Sequence, residues 1–258
     1  MASLFDLSGK VALVTGGAGL LGRALSEGLA EHDASVVIGD TAVQAGSALA
    51  SDLGSDAEFR ELDITSEKSI KRTIQDVHET YDGIDVLVNS AYPRTDTYGQ
   101  RYEEVTFDNW RQNLDMHLDG YFFTSYTVSK LMMTDGNGGS IINIGSTYGT
   151  QAPDFSIYEG TDMTSPVEYA GIKGGVINLT RYLASYLGKF GIRANALSPG
   201  GIFNDQAQRF VEEYKRRTPL GRMAEPEDFK GPIIFLASDA SRYVTGHNLL
   251  VDGGWTIC

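Results

Sequence analysis

Tyr169-Ala170-Gly171-Ile172-Lys173 sets a phenol and an ammonium four positions apart, on one face of any helix that carries them. A phenol titrates at about pH 10 and is a poor base near neutrality. A neighbouring cation favours the phenolate, so this pair can take a proton from an alcohol as hydride leaves its carbon. Upstream, Ser146 follows the run Ser140–Ile144 and offers a hydroxyl to the same alcohol oxygen.

A second constellation could hold the hydride acceptor. Thr15-Gly16-Gly17-Ala18-Gly19-Leu20-Leu21-Gly22 follows the strand-like run Val11–Thr15, and positions 17, 19 and 22 fit G-x-G-x-x-G. Such glycines allow a tight turn, close approach of a pyrophosphate and close helix–strand packing. A helix opening near Leu20 then presents free N–H groups to phosphate, with Gly16, Gly19, Leu21 and Gly22 as the expected contacts. Asp40 closes the next run, Val36-Val37-Ile38-Gly39-Asp40, and Thr41 follows it with no Arg or Lys beside. A carboxylate there can accept from both ribose hydroxyls and repels a 2′-phosphate, which favours NAD over NADP. The other reading makes Asp40 a cap for the following helix.

The elements that must position these groups alternate. Strand-like runs are Val11–Thr15, Ser35–Gly39, a weaker Glu58–Leu62, Ile84–Asn89, Ser140–Ile144, Ile192–Leu197 and Asn248–Val251. Helical spacing of apolar residues covers Leu20–Ala30, Ile70–Tyr81, Trp110–Met133, Ala170–Phe190 and Pro226–Ala237, with a short charged pattern at Gln206–Arg217. The alternation predicts an α/β doubly wound parallel sheet of Rossmann type. One domain spans 1–258. Two irregular stretches, 147–166 and 200–222, follow strands at the carboxyl edge and are the expected walls of a substrate pocket.

The 258 residues are 41% hydrophobic and 21% charged, which excludes a disordered polymer. Net charge is −13, a field that repels phosphate backbones and anionic lipid. No nucleic-acid or membrane partner is therefore expected. Nothing reads as a signal peptide, and the lone cysteine, Cys258, suits a reducing compartment. A cytoplasmic location is the expectation. The histidines at 32, 78, 117 and 247 are scattered without ligand spacing, so no metal is expected.

Taken in order, TGGAGLLG at 15–22, LDIT at 62–65, VLVNSA at 86–91, GSIINIGS at 139–146, YAGIK at 169–173, IRANALSPGG at 192–201 and VDGGW at 251–255 resemble the short-chain dehydrogenase/reductase family in its single-domain form. The resemblance covers essentially the whole chain. It implies nicotinamide-dependent oxidoreduction and a homotetramer. Carried over by position, it makes Tyr169 the acid/base. Lys173 becomes the residue that binds the nicotinamide ribose and lowers the tyrosine pKa, and Ser146 the partner of the substrate oxygen. It further places Asp63 and Ile64 at the adenine, Asn89 and Ala91 at the adenosine side, and Pro199, Gly200 and Ile202 at the nicotinamide side.

Four departures stand out against the family pattern. The glycines follow T-G-x-x-G-x-x-G, a spacing similar to that of the longer, sugar-nucleotide-modifying branch. His117, in His117-Leu118-Asp119-Gly120, takes the place of an active-site Asn. Imidazole can donate and accept, so His117 either replaces that Asn in a proton relay or is a satisfied core residue. Asn89-Ser90-Ala91-Tyr92 replaces Asn-Asn-Ala-Gly and brings Tyr92 and Arg94 to the strand edge. Finally, an unusually long loop separates Ser146 from Tyr169 and holds Asp154, Phe155, Tyr158 and Glu159.

Tyr92, Arg94, Tyr98, Tyr148, Phe155, Tyr158 and Asn204 make a polar-aromatic candidate lining, which suits a small, polyhydroxylated substrate. Arg94, Arg101 or Lys215-Arg216-Arg217 could hold a carboxylate or phosphate; the other reading of such charges is a solvated face. The variant stretches are similar to those of dehydrogenases of bacterial surface-sugar and flagellin-modification pathways, and the opening LFDLSGKVALVTGG to that of gluconate-type dehydrogenases. The expectation is hydride transfer between NAD(H) and a secondary alcohol or ketone of a sugar or sugar derivative. The alternatives are a carbonyl or ketoacyl reductase and a catalytically silent NAD-sensing or scaffold protein.

Overall fold

The apolar runs become seven parallel strands in the order β3-β2-β1-β4-β5-β6-β7. The computed structural model describes residues 3–258. Its strands are β1 (Val11–Thr15), β2 (Ser35–Asp40), β3 (Ala57–Glu61), β4 (Val86–Asn89), β5 (Gly139–Ile144), β6 (Ile192–Pro199) and β7 (Asn248–Val251). The helices are α1 (Leu20–Ala30), α2 (Val43–Leu53), α3 (Glu67–Tyr81), α4 (Phe107–Leu114), α5 (Gly120–Asp135), α6 (Val167–Leu187), α7 (Gln208–Arg217) and α8 (Lys230–Ala237).

Both faces of the sheet are covered, as its uninterrupted apolar strands require. In β1, Val11 and Leu13 point into a core shared with α3, α5 and α6. Ala12 and Val14 point into the opposite one, shared with α1, α2 and α8, following the two-residue period of a strand. Fully buried side chains such as Leu13, Leu25, Leu87 and Ile74 each contribute roughly 1.5–3 kcal/mol. A third cluster lies above the sheet edge, where Ile157 packs with Phe210, Val211, Tyr214, Met223 and Trp255. The two irregular stretches thus pack on each other.

Register decides where the chemistry collects. Thr15 pairs with Gly39 and Asn89, and Asn143 with Asn89 and Ala196. Gly16, Asp40, Ser90, Gly145 and Gly200 therefore leave the sheet along one carboxyl edge. Strand order reverses between β1 and β4, where the crevice of such a sheet lies.

Two elements differ from the sequence expectation. α2 was not anticipated: it buries only Gly46, Leu49 and Ala50, one large apolar residue with two small ones, and Gly46 sits where a Cβ would meet the Phe59 ring. The single helix expected over Trp110–Met133 is instead α4, a π turn at Asp115–Asp119 and α5. Such a turn is a device found often at functional sites, and here it carries His117 inward, fully buried. Among the described residues, no helix is long and apolar enough to cross a membrane.

Candidate active site

Gly16 adopts φ +64°, and a Cβ there would strike the backbone of Ala91; a Cβ on Gly22 would strike the Gly16 carbonyl. Only glycine allows β1, α1 and the β4 edge to meet this closely. Gly19 caps α1 without any side-chain hydrogen bond, so the first-turn N–H groups are free to face an anion. Asp40 combines two roles. Its Oδ2 accepts from Ala18 N–H at 3.0 Å and its Oδ1 from Ala42 N–H at 2.9 Å, which ties the glycine turn to the start of α2. A carboxylate has about four acceptor positions, leaving capacity for ribose hydroxyls.

From this turn a cleft of about 730 Å³ runs to the Tyr169 side. Gly16, Gly19, Leu21, Gly22 and Asp40 line one end; Asp63, Ile64 and Ala91 follow, then Pro199, Gly200 and Ile202. An anion cradle, a carboxylate for a diol and an elongated cleft fit a dinucleotide. Asn89 departs from expectation. It is buried below the cleft, its Nδ2 donating to Ser125 Oγ and Asn143 Oδ1, and it bridges strands instead of reaching a ligand.

At the far end Ser146, Tyr169 and Lys173 meet, as the sequence predicts. Ser146, at the exit of β5, lines the cleft together with Tyr169 and accepts from Tyr148 N–H at 3.1 Å. Lys173, one helical turn after Tyr169 on α6, donates to the Ile144 carbonyl at 2.7 Å. Its Nζ lies 5.4–5.8 Å from the ring centres of Tyr92, Tyr121 and Tyr169, an aromatic cage that favours the cation. Burial opposes it and lowers the Lys173 pKa to about 7. Burial also raises the Tyr169 pKa, while the polar Ser146 hydroxyl offsets part of that rise. In the protein alone the phenol is therefore less acidic than a free one, opposite to the expected effect of Lys173. A cationic ligand beside it would shift the balance.

His117 does not line the cleft. It stands behind it, with Nε2 3.4 Å from Lys173 Nζ and its ring 5.2 Å from that of Tyr92. Burial, and then the Lys173 charge, holds its pKa well below that of a free imidazole. It is neutral at pH 7, and Nδ1 has no partner among the described residues.

Of the expected substrate residues, Tyr92, Arg94, Tyr148 and Asn204 line the cleft. Phe155 does not: it is exposed and stands 6.3 Å from the ring of Tyr158, whereas Tyr158, also in the expected lining, faces the cleft. Tyr98 supports Tyr92 from behind through a hydroxyl–hydroxyl hydrogen bond. Arg216 and Arg217 are paired with Glu213 and lie outside the lining. Gln206, Phe210 and Tyr214 also line it and were not anticipated. The helical period of α7 buries Phe210 and Tyr214 together, a signal hidden in a stretch that reads as a short charged pattern. Among the described residues, no group of three or more His, Cys, Asp or Glu could hold a metal ion.

The comparisons with known proteins agree with this geometry. A family model described as enoyl-(acyl carrier protein) reductase, of the short-chain dehydrogenase type, matches residues 17–256. The chain is 36% identical over 256 residues to post-translational flagellin modification protein A of Campylobacter coli, covering 96% of this chain and 99% of that one. A short-chain dehydrogenase structure from Leptospira borgpetersenii with bound NAD+ is 34% identical with a TM-score of 0.87, covering 99% and 96% of the two chains. A gluconate 5-dehydrogenase from Burkholderia cenocepacia in complex with NADP and tartrate is 31% identical with a TM-score of 0.88, covering 98% of each. The chain belongs to the short-chain dehydrogenase/reductase family and is an oxidoreductase of CH–OH groups.

Proposed function

We propose that the protein is an NAD-dependent dehydrogenase that oxidises a secondary hydroxyl of a sugar or sugar derivative to the ketone, the reverse reaction reducing it. The observation that carries this is the meeting of Ser146, Tyr169 and Lys173 at the polar-aromatic end of a cleft whose other end holds Asp40. Ser146 orients the substrate oxygen, and Tyr169 takes the hydroxyl proton as the C–H hydride departs. Lys173 holds the nicotinamide ribose and adds positive charge beside Tyr169. The nicotinamide ring, when bound, accepts the hydride.

Asp40 and Asp63 are the charged residues lining the adenosine end, where a 2′-phosphate would meet repulsion and no cation. This supports NAD, although one structural neighbour holds NAD+ and another NADP. Tyr148, Tyr158, Asn204 and Gln206 in the lining suit hydroxyl groups better than an acyl chain, and the gluconate 5-dehydrogenase likeness points the same way. Exposed aromatics on α5 (Phe122, Tyr126) and α6 (Tyr182, Tyr186) support a homo-oligomer, a tetramer by family analogy, which light scattering checks. A lone Cys258 supports a cytoplasmic enzyme.

The deciding experiment assays NAD+ and NADP+ reduction across polyols, sugar acids, sugar phosphates, a hydroxyacyl thioester and a steroid alcohol, with Tyr169→Phe in parallel. Turnover of a sugar-class substrate that falls at least about 10²-fold on loss of that one oxygen supports the proposal. NAD binding with no turnover supports the silent sensor instead, and preference for the thioester with NADPH supports the ketoacyl reductase.

A further inference from the structure

Several arginines elsewhere in the chain are committed. Arg193 donates to Ser241 Oγ and to the Leu236 and Ser238 carbonyls. Arg217 is held by Asp154 and Glu213, and Arg222 by Asp228. Arg94 is different: it lines the cleft, and none of its N–H donors finds an acceptor among the described residues. The contact that orients it is the Tyr92 ring, whose centre lies 5.5 Å from its guanidinium carbon.

That ring also fixes its place relative to the chemistry. Tyr92 stands edge-on to Tyr169 at 5.8 Å, and Tyr98 holds its hydroxyl from the far side. One aromatic ring thus separates a planar fork of unused donors from the phenol that handles the proton. The charged residues of the lining divide by sign: Asp40 and Asp63 toward the adenosine end, Lys173 and Arg94 at the other. Lys173 is buried and already bonded to Ile144. Arg94 is therefore the uncommitted cation on the substrate side. With a net charge of −13, the protein's overall field repels an anion, so an anionic substrate needs such a local partner.

We propose that Arg94 receives an oxyanion of the substrate, a carboxylate or phosphate set several bonds from the reacting hydroxyl, making the substrate an acidic sugar derivative. This rests on the dehydrogenase reading above. A guanidinium held over a ring and presenting two parallel N–H groups matches either oxyanion in bidentate fashion.

The test compares kcat/KM on aldonates, sugar phosphates and their neutral polyol counterparts for the wild type, Arg94→Gln and Arg94→Lys. The wild type is expected to prefer one anionic class, and which class it prefers identifies the oxyanion. Arg94→Gln should lower the anionic-over-neutral preference at least about tenfold, mostly through KM, and Arg94→Lys should restore part of it. The wild-type KM for the anionic substrate should also rise with ionic strength. A preference that Arg94→Gln leaves intact, or a wild type that favours neutral polyols, overturns this inference while leaving the dehydrogenase standing. Absence of turnover on every sugar overturns both.

Discussion

Lys173 Nζ lies 3.4 Å from His117 Nε2 and 2.7 Å from the Ile144 carbonyl oxygen, with both side chains buried. Because an ammonium can only donate, a neutral His117 accepts at Nε2 and carries its own hydrogen on Nδ1 in this network. The imidazole thereby positions the amine beneath Tyr169 from the π turn that delivers it. His117→Ala removes that acceptor, and a lost hydrogen bond of about 1–1.5 kcal/mol corresponds to roughly a tenfold fall in kcat. NAD affinity, read by fluorescence titration, should change little, and His117→Asn should recover part of the rate. Unaltered turnover in His117→Ala would mean that the imidazole is only core packing.

Lys173 also makes a prediction about stability. Its folded pKa is about 7 against an ordinary 10.5, the cause being burial. Below about pH 7 the folded and unfolded chains both carry the proton. Between about 7 and 10.5 the unfolded chain keeps it and the folded chain has lost it, so stability rises with pH across that window, by at most about 1.4 kcal/mol per pH unit. The raised Tyr169 pKa acts with the opposite sign, but only above its ordinary value of 10.0. Urea melts of wild type and Lys173→Met at pH 7, 8 and 9 should therefore diverge, the wild type gaining stability relative to the variant as pH rises. Parallel curves would show that Lys173 titrates normally.

The strands were legible because runs such as Val86-Leu87-Val88 are buried on both sides and leave no competing period. The Tyr169–Lys173 pair was legible because four positions on a helix are one turn. What escaped the sequence reading was whatever depends on small side chains or on tertiary approach. α2 has no apolar stripe to announce it, and no local pattern distinguishes a π turn from the regular helix on either side. Asn89 was carried over as a ligand contact from the family resemblance alone, whereas its Nδ2 is spent in the interior on Asn143 and Ser125. Phe155 and Tyr158 lie within the same short helical turn, and only packing against Phe210, at 5.2 Å from the Tyr158 ring, decides which of them turns inward.

Asp40 separates its two roles under one substitution. Asp40→Asn keeps the amide oxygen as an acceptor for the Ala18 or Ala42 N–H but removes the charge. The glycine turn should survive, so the melting temperature should move little, while repulsion of a 2′-phosphate disappears. The ratio of kcat/KM for NADP+ over NAD+ should rise roughly 10–100-fold, equivalent to about 1.4–2.7 kcal/mol. Should the ratio stay fixed, Asp40 serves the turn alone, and cofactor choice lies elsewhere.

Arg217 links the two irregular stretches that wall the cleft. From α7 its Nε contacts Asp154 Oδ2 at 2.8 Å and its Nη2 donates to Ser156 Oγ at 2.9 Å, while Glu213 anchors the guanidinium from its own helix. Exposed pairs of this kind contribute only about 0–1 kcal/mol each, which in a domain of this size corresponds to a few degrees of melting temperature at most. Global stability is therefore the wrong place to look for the effect. Local opening is the right one, because Ile157, which this clamp helps seat, is the buried residue that joins the loop to Phe210 and Tyr214. Arg217→Gln should raise the rate of protease cleavage within 150–162 severalfold and raise substrate KM, with kcat and melting temperature nearly unchanged. Added salt should move the wild type toward the variant. If cleavage and KM match the wild type at low salt, hydrophobic packing alone holds the loop and Arg217 is a surface charge.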